Sequence, residues 1–191
     1  MLDNYPNETY YSETLYRDWK QSIKIEKILY EEKTPYQHLV IFDSSRFGRV
    51  LALDGVIQTT YKDAAIYSEM MAHVPAIAHG NPQHVLIIGG GDGSVLKEVL
   101  RHPTVEKAVV CEIDPSVVQT TQAWMPKICQ DAFLDPRAQV VIQDATEYVK
   151  TTEETFDLII SDSTDPFGPA AALFTKNSTL TAKKYLIKKG F

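Results

Sequence analysis

Val85-Leu-Ile-Ile-Gly-Gly-Gly-Asp-Gly-Ser-Val-Leu-Lys-Glu98 reads as a buried strand, a glycine turn and the start of a helix, with one acid, Asp92, held inside the turn. The same pattern continues downstream. Residues 107–111, 138–142 and 156–161 read as further strands, and 115–125, 146–150 and 179–186 as the helices that follow strands. Apolar strands alternating with helices predict an α/β domain, a parallel sheet covered on both faces. Glu112 ends the second apolar run, and Asp162-Ser-Thr-Asp165-Pro ends the fourth. Acids at three strand ends point to one cleft suited to a cation. The sequence stops at Phe191, where a fifth strand is expected, so the fourth strand is expected at an open edge.

Upstream the grammar differs. Runs of period two at 23–30, 38–42 and 49–53 read as strands, with turns at Thr34-Pro35, Asp43-Ser44-Ser45 and Asp54-Gly55. Residues 1–60 are therefore expected to form a small antiparallel β-domain, with a polar, tyrosine-rich arm at 1–20 that packs against it. Residues 61–191 are expected to form the α/β domain. It opens with a helix over 61–79 that carries Ile66, Met70 and Val74 on one face and is interrupted by Pro75.

The chain has 191 residues and a net charge of −6, without a basic stripe, which argues against a nucleic-acid partner. Cys111 and Cys129 form no CxxC, and the five histidines show no metal-ligand spacing, so no metal centre is expected. No apolar run is long enough to span a membrane, and the first thirty residues are unlike a signal peptide. A cytoplasmic protein with reduced thiols is expected.

Gly89 and Gly91 permit a sharp turn and close approach of a ligand. The third glycine of the dinucleotide pattern G-x-G-x-x-G falls on Ser94, so the match to NAD-binding turns is poor. A nucleoside without a pyrophosphate suits the turn better; a bare βα turn is the alternative. Glu112 follows Gly89 by 23 positions, where an acid accepts hydrogen bonds from ribose hydroxyls. The alternative for Glu112 is a helix cap, but Asp114-Pro115 is the better capping pair and leaves Glu112 for a ligand. Asp144 follows the third strand, where it faces either solvent or the exocyclic amine of an adenine.

These pieces resemble the spermidine synthases, or polyamine aminopropyltransferases. The resemblance rests on Leu29-Tyr-Glu-Glu-Lys-Thr-Pro-Tyr-Gln37, Phe47-Gly-Arg-Val-Leu-Ala-Leu-Asp-Gly-Val-Ile-Gln58, Tyr67-Ser-Glu-Met-Met-Ala-His-Val-Pro75, the Val85–Glu98 stretch, Glu112-Ile-Asp114 and Asp162-Ser-Thr-Asp-Pro-Phe-Gly-Pro169, in the family's order over nearly the whole chain. It implies a methyltransferase-like Rossmann domain behind a small β-domain, and a homodimer or homotetramer. It implies transfer of the aminopropyl group of decarboxylated S-adenosylmethionine, a co-substrate, to putrescine, with no cofactor. Gln37, Gly89, Gly91, Asp92, Glu112, Asp144, Ala145 and Pro169 would line the donor nucleoside site. Tyr67, Ser68, Asp92, Asp162 and Asp165 would line the polyamine site, Asp162 taking or relaying the proton of the attacking amine. Residues 168–174 would form a gate over substrate, or a plain connector.

The sequence departs from that pattern at Ser68, where the family carries His or Gln, at Ala145, where it carries Gly, and at Asp63-Ala64, where it carries a pair of acids. About a third of the family's usual length is missing after Phe191, so a chain truncated at its C-terminus is expected. Two other readings remain open: an S-adenosylmethionine-dependent methyltransferase of small molecules, and a catalytically impaired polyamine-binding remnant.

Overall fold

The structure, a computed structural model, describes residues 8–164. Asp165, Pro169, the loop at 168–174 and the helix read at 179–186 lie outside the described residues. Contacts divide the chain into two units, Met1–Ala64 and Ala65–Phe191.

The first unit carries β1 (Tyr10–Ser12), β2 (Ser22–Lys24), β3 (Lys27–Lys33), β4 (His38–Ser44), β5 (Gly48–Leu53) and β6 (Val56–Thr60). Strands β3 to β6 form an antiparallel meander, and β1 and β2 pair as a separate two-stranded ladder. The run at 23–30 is therefore two strands, not one. The hydrogen-bond partner changes at its middle: Ile25 donates to the Thr9 carbonyl and Glu26 to that of Asp43. Asp54 and Gly55 both take positive φ, 48° and 83°, which gives the twist a two-residue hairpin needs between β5 and β6. Ile23, Val40, Phe42 and Val50 form a core in this unit, and Tyr11 of the arm stacks on Phe42 at 5.2 Å.

The second unit begins with α1 (Ala64–His79) and continues through β7 (His84–Gly89), α2 (Ser94–Leu100), β8 (Lys107–Glu112), α3 (Pro115–Trp124), α4 (Pro126–Cys129), a 3-10 turn (Ala132–Leu134), β9 (Ala138–Ile142), α5 (Ala145–Thr151) and β10 (Leu158–Asp162). The strands are parallel in the order β10-β7-β8-β9. Alternate residues of β7 feed two cores. Val85 and Ile87 pack with Val95, Leu96 and Val99 of α2, while Leu86 and Ile88 pack with Tyr148 and Val149 of α5 and with Phe156. A strand buried on both faces has to be apolar throughout, which is why 85–88 shows no alternation.

Helix α1 runs unbroken through Pro75. Ile66, Met70 and Val74 do share a face, but that face is exposed; Ser68, Ala72 and Ala76 are the buried side. Small side chains let the helix axis lie close to its neighbours, so the aliphatic stripe points outward.

Phe156 is fully buried between the sheet and α5. Phe156→Ala is expected to cost about 3–5 kcal/mol, read as a lower urea midpoint with an unchanged slope.

Candidate active site at the strand tips

The strand order reverses between β7 and β10, the first and the last strand of the sheet among the described residues. In open parallel sheets a ligand crevice lies beyond the carboxyl ends of the strands at such a point. The pairing sets Asp162 directly opposite Gly89. That register is pinned at the other end of the strands, where Asp157 Oδ2 accepts from the N–H groups of Gln83 and His84, each at 2.8 Å.

The glycine turn is shaped by these neighbours. Gly89 has φ 76°, and a Cβ there would collide with the Asp162 carbonyl. A Cβ on Gly91 would sit 2.7 Å from Glu112 Oε2. The Gly90 N–H donates to the Asp162 carbonyl at 2.8 Å.

Three acids meet around this turn. Glu112 is 8% exposed; its Oε2 accepts from Gly91 N–H at 3.1 Å and its Oε1 from Asp114 N–H at 3.0 Å. Burial raises its pKa, against the pull of those N–H groups and that of Ile113. Asp114 caps α3, accepting from Ser116 N–H at 3.0 Å, with Pro115 at the first helical position. Glu112 is thus not left wholly for a ligand, since it also ties the turn to β8. A carboxylate with four lone-pair sites still has room for ribose hydroxyls. Asp92 accepts from Ser94 N–H at 2.8 Å, and burial raises its pKa while that bond and Lys97 pull the other way. Asp162 accepts from the Tyr67 hydroxyl at 2.8 Å. Its pKa is pushed up to about 7 by burial and by the charge of Asp92, with Glu112 adding to the effect and the Tyr67 bond opposing it. The Tyr67 phenol is in turn held well above its usual value by burial and by Asp162.

Asp144 caps α5, with Oδ1 accepting from both the N–H and the hydroxyl of Thr146 at 2.7 Å. Ala145, the first residue of α5, is buried and is not among the residues of positive φ, so alanine carries no backbone strain there. Ser68 is fully buried, with its hydroxyl turned 3.5 Å from the Ala65 carbonyl along the helix. Gln37 belongs to the first unit, in the β3–β4 turn, where its N–H donates to Thr34 Oγ1 at 3.0 Å. Beneath the site the Cys111 thiol is pushed up to about 12 by burial and by Glu112 and Asp144, which rules it out as a nucleophile near neutral pH.

Two residues escaped the reading of the sequence. Ile113, half-buried beyond the end of β8, gives an apolar surface next to Glu112. Ser163 carries a buried hydroxyl with no partner among the described residues. A lone residue just past a strand end has no periodicity to reveal it. A separate surface groove of about 570 Å³ is lined by Glu69, Lys97, Glu98, Arg101 and Gln130 among others, and by none of the three acids.

The family model described as the spermine/spermidine synthase domain matches residues 64–191, and that described as the spermidine synthase tetramerisation domain matches 9–61. The chain belongs to the spermine/spermidine synthase family. Polyamine aminopropyltransferase 1 of Pseudomonas aeruginosa is 51% identical over 180 residues, which cover 94% of this chain and 63% of that protein. The polyamine aminopropyltransferase of Pseudomonas syringae pv. tomato is 54% identical over 167 residues, 87% of this chain and 58% of that protein. A crystal structure of spermidine synthase in complex with the transition state analogue AdoDATO superposes with a TM-score of 0.88 at 41% identity, covering 93% of this chain and 61% of that one. Spermidine synthase from Thermotoga maritima gives 0.87 at 40% identity, covering 94% and 61%. The chain therefore spans about 60% of the length of the family members it matches.

An acid whose folded pKa is raised stabilises the fold only where it is protonated. For Asp162 that contribution is present below the ordinary carboxylate range and lost as pH rises through about 7. Asp162→Asn, which keeps an acceptor for Tyr67, is expected to raise the melting temperature of the ligand-free chain at pH 8, with the gain vanishing below pH 4. Thermal melts across that range check the sign.

Proposed function

We propose that the site transfers the aminopropyl group of decarboxylated S-adenosylmethionine to putrescine, giving spermidine and methylthioadenosine. The observation that carries this reading is Asp162, held by Tyr67 beside Asp92 at the switch point of the sheet. The names of the family members and the analogue bound to one of them support it.

The donor is a sulfonium cation with an ammonium tail, and the acceptor carries two ammonium groups in water. Acids with raised pKa values in a poorly solvated hollow attract such ligands, and excluding water strengthens the attraction. Intact S-adenosylmethionine would set its own carboxylate against these acids, so repulsion selects the decarboxylated form.

The attacking amine must first lose a proton. With a reference pKa near 10.4, only about one in 10³ to 10⁴ is neutral at pH 7, a cost of roughly 4–5 kcal/mol. Asp162, raised to about 7 in the ligand-free chain, would take or relay that proton; bound cations lower its basicity, so orientation of the amine is its larger contribution. The amine nitrogen then attacks the propyl carbon attached to sulfur. The C–N bond forms, the C–S bond breaks, and the electron pair leaves on sulfur as a neutral thioether. The positive sulfur already activates its own departure, so the reading assigns no cofactor.

Glu112 would hold the ribose, Asp144 and Ala145 the adenine edge, and Gly89 and Gly91 the close approach of the nucleoside. Asp92 would hold the ammonium tail of the donor. Tyr67 and Asp162 would hold the near amine of the acceptor and Asp165 the far one, with Pro169 completing the donor site. Self-association as a homodimer or homotetramer is assigned to residues 9–61, following the name of the matching tetramerisation domain. Two free, buried cysteines suit a reducing, cytoplasmic setting. Among the described residues no helix is long and apolar enough to cross a membrane.

Calorimetry with methylthioadenosine and putrescine, followed by a turnover assay with the decarboxylated donor, tests the assignment. The expected result is binding of both and formation of spermidine. Binding without turnover would leave a polyamine-binding remnant, and binding of intact S-adenosylmethionine alone would leave a methyltransferase. Asp162→Asn is expected to lower turnover by about 10²-fold or more while nucleoside affinity stays within about threefold.

A further inference from the structure

Helix α1 carries Tyr67, yet its buried face is made of Ser68, Ala72 and Ala76. Beside them Met71 is the one large side chain of the helix packed against the core of the second unit among the described residues, so apolar packing alone fixes the rotation of the helix only loosely. Direction comes from polar contacts. Tyr67 reaches Asp162 at one end. Six residues later, His73 Nε2 lies 3.4 Å from Glu98 Oε2 of α2, and His73 Nδ1 lies 2.9 Å from His102 Nε2.

Glu98 is a fixed anion. Its side chain is 3% exposed, with Lys97 at 3.0 Å and Arg101 at 2.8 Å. Burial works against its charge, but Arg101 and Lys97 outweigh it and hold the pKa below the usual carboxylate value. The charge of Glu98, 3.4 Å away, favours the His73 tautomer protonated at Nε2, in which His73 Nδ1 accepts from His102 Nε2–H. Burial, His73 and Arg101 together depress the pKa of His102, which keeps that donor neutral near pH 7.

We propose that the Glu98–His73–His102 chain is a positioning device that locks the rotation of α1 and so delivers the Tyr67 hydroxyl to Asp162. The part of the inference that concerns substrate rests on the function proposed above. The device is sensitive to pH. A proton gained by His102 adds positive charge beside Lys97 and Arg101, with Glu98 and Glu69 the acids that face the cluster. A depressed His pKa contributes stability above the ordinary value of about 6.5 and loses it as pH falls.

A double-mutant cycle tests this in the whole chain. Urea unfolding of wild type, Tyr67→Phe, His73→Phe and the double variant is measured at pH 7.5 and pH 5, without ligand. The double variant is expected to lose clearly less than the sum of the single losses at pH 7.5, with the coupling weaker at pH 5. Additive losses at pH 7.5 would overturn the proposal. In calorimetry, His73→Phe is expected to weaken putrescine binding about tenfold while methylthioadenosine stays within about twofold. His73→Gln, which keeps an N–H towards Glu98, is expected to recover part of the loss. Should His73→Phe fail to fold, Glu98→Gln, which keeps the shape and removes the charge, takes its place in the cycle with the same expectation. Equal loss of both ligands would show a merely structural role and overturn the proposal. If wild type binds no putrescine while the unfolding cycle is coupled, the positioning role stands and the substrate assignment fails.

Discussion

The pairing of β7 with β10 sets Asp162 against Gly89, and the chemistry of the site depends on that register. A slip of one residue would turn Asp162 to the other face of the sheet. The structure guards against this from the far end, where Asp157 grips two successive N–H groups at the start of β7. From the near end, the Gly90 N–H takes the Asp162 carbonyl, and the space beside Gly89 admits no side chain. The glycine turn is thus as much a packing requirement of the strand pair as a ligand cradle.

That register gathers acids that would separate if they could. Glu112, Asp92 and Asp162 all have raised pKa values, and in each case burial is the main cause. Ligand-free, the arrangement is a liability, since each acid has lost water and, of the three, Asp92 alone has a cation, Lys97, acting on it. A diammonium ligand and a sulfonium would reverse the sign of the balance. Strain of this kind, held by the surrounding fold and relieved by ligand, is common where a site must be prepared before its substrate arrives.

Much of this was legible before the structure. The unbroken apolar run at 85–88 announced a strand buried on both faces, and Asp114-Pro115 announced the start of α3. What stayed hidden depended on partners far away in sequence. The run at 23–30 looks continuous because its composition is, but its ladder changes partner at Ile25. The aliphatic stripe of α1 was legible as one face, but not that this face lies exposed while Ser68, Ala72 and Ala76 are buried. Glu112 was legible as an acid at a strand end, but not as a tie to Gly91, because that bond forms only when β7 and β8 lie side by side. The histidine pair joins residues 29 apart, and no local pattern marks it.

The account stands on one electrostatic claim, that Asp162 is so crowded by burial and by its fellow acids that it holds a proton near neutrality. Carbon-13 NMR titration of the Asp162 carboxyl, assigned with Asp162→Asn, measures this directly in the ligand-free chain. A midpoint near pH 7 that falls when putrescine is added is the predicted result. A midpoint in the ordinary carboxylate range near pH 4, unmoved by putrescine, would contradict it.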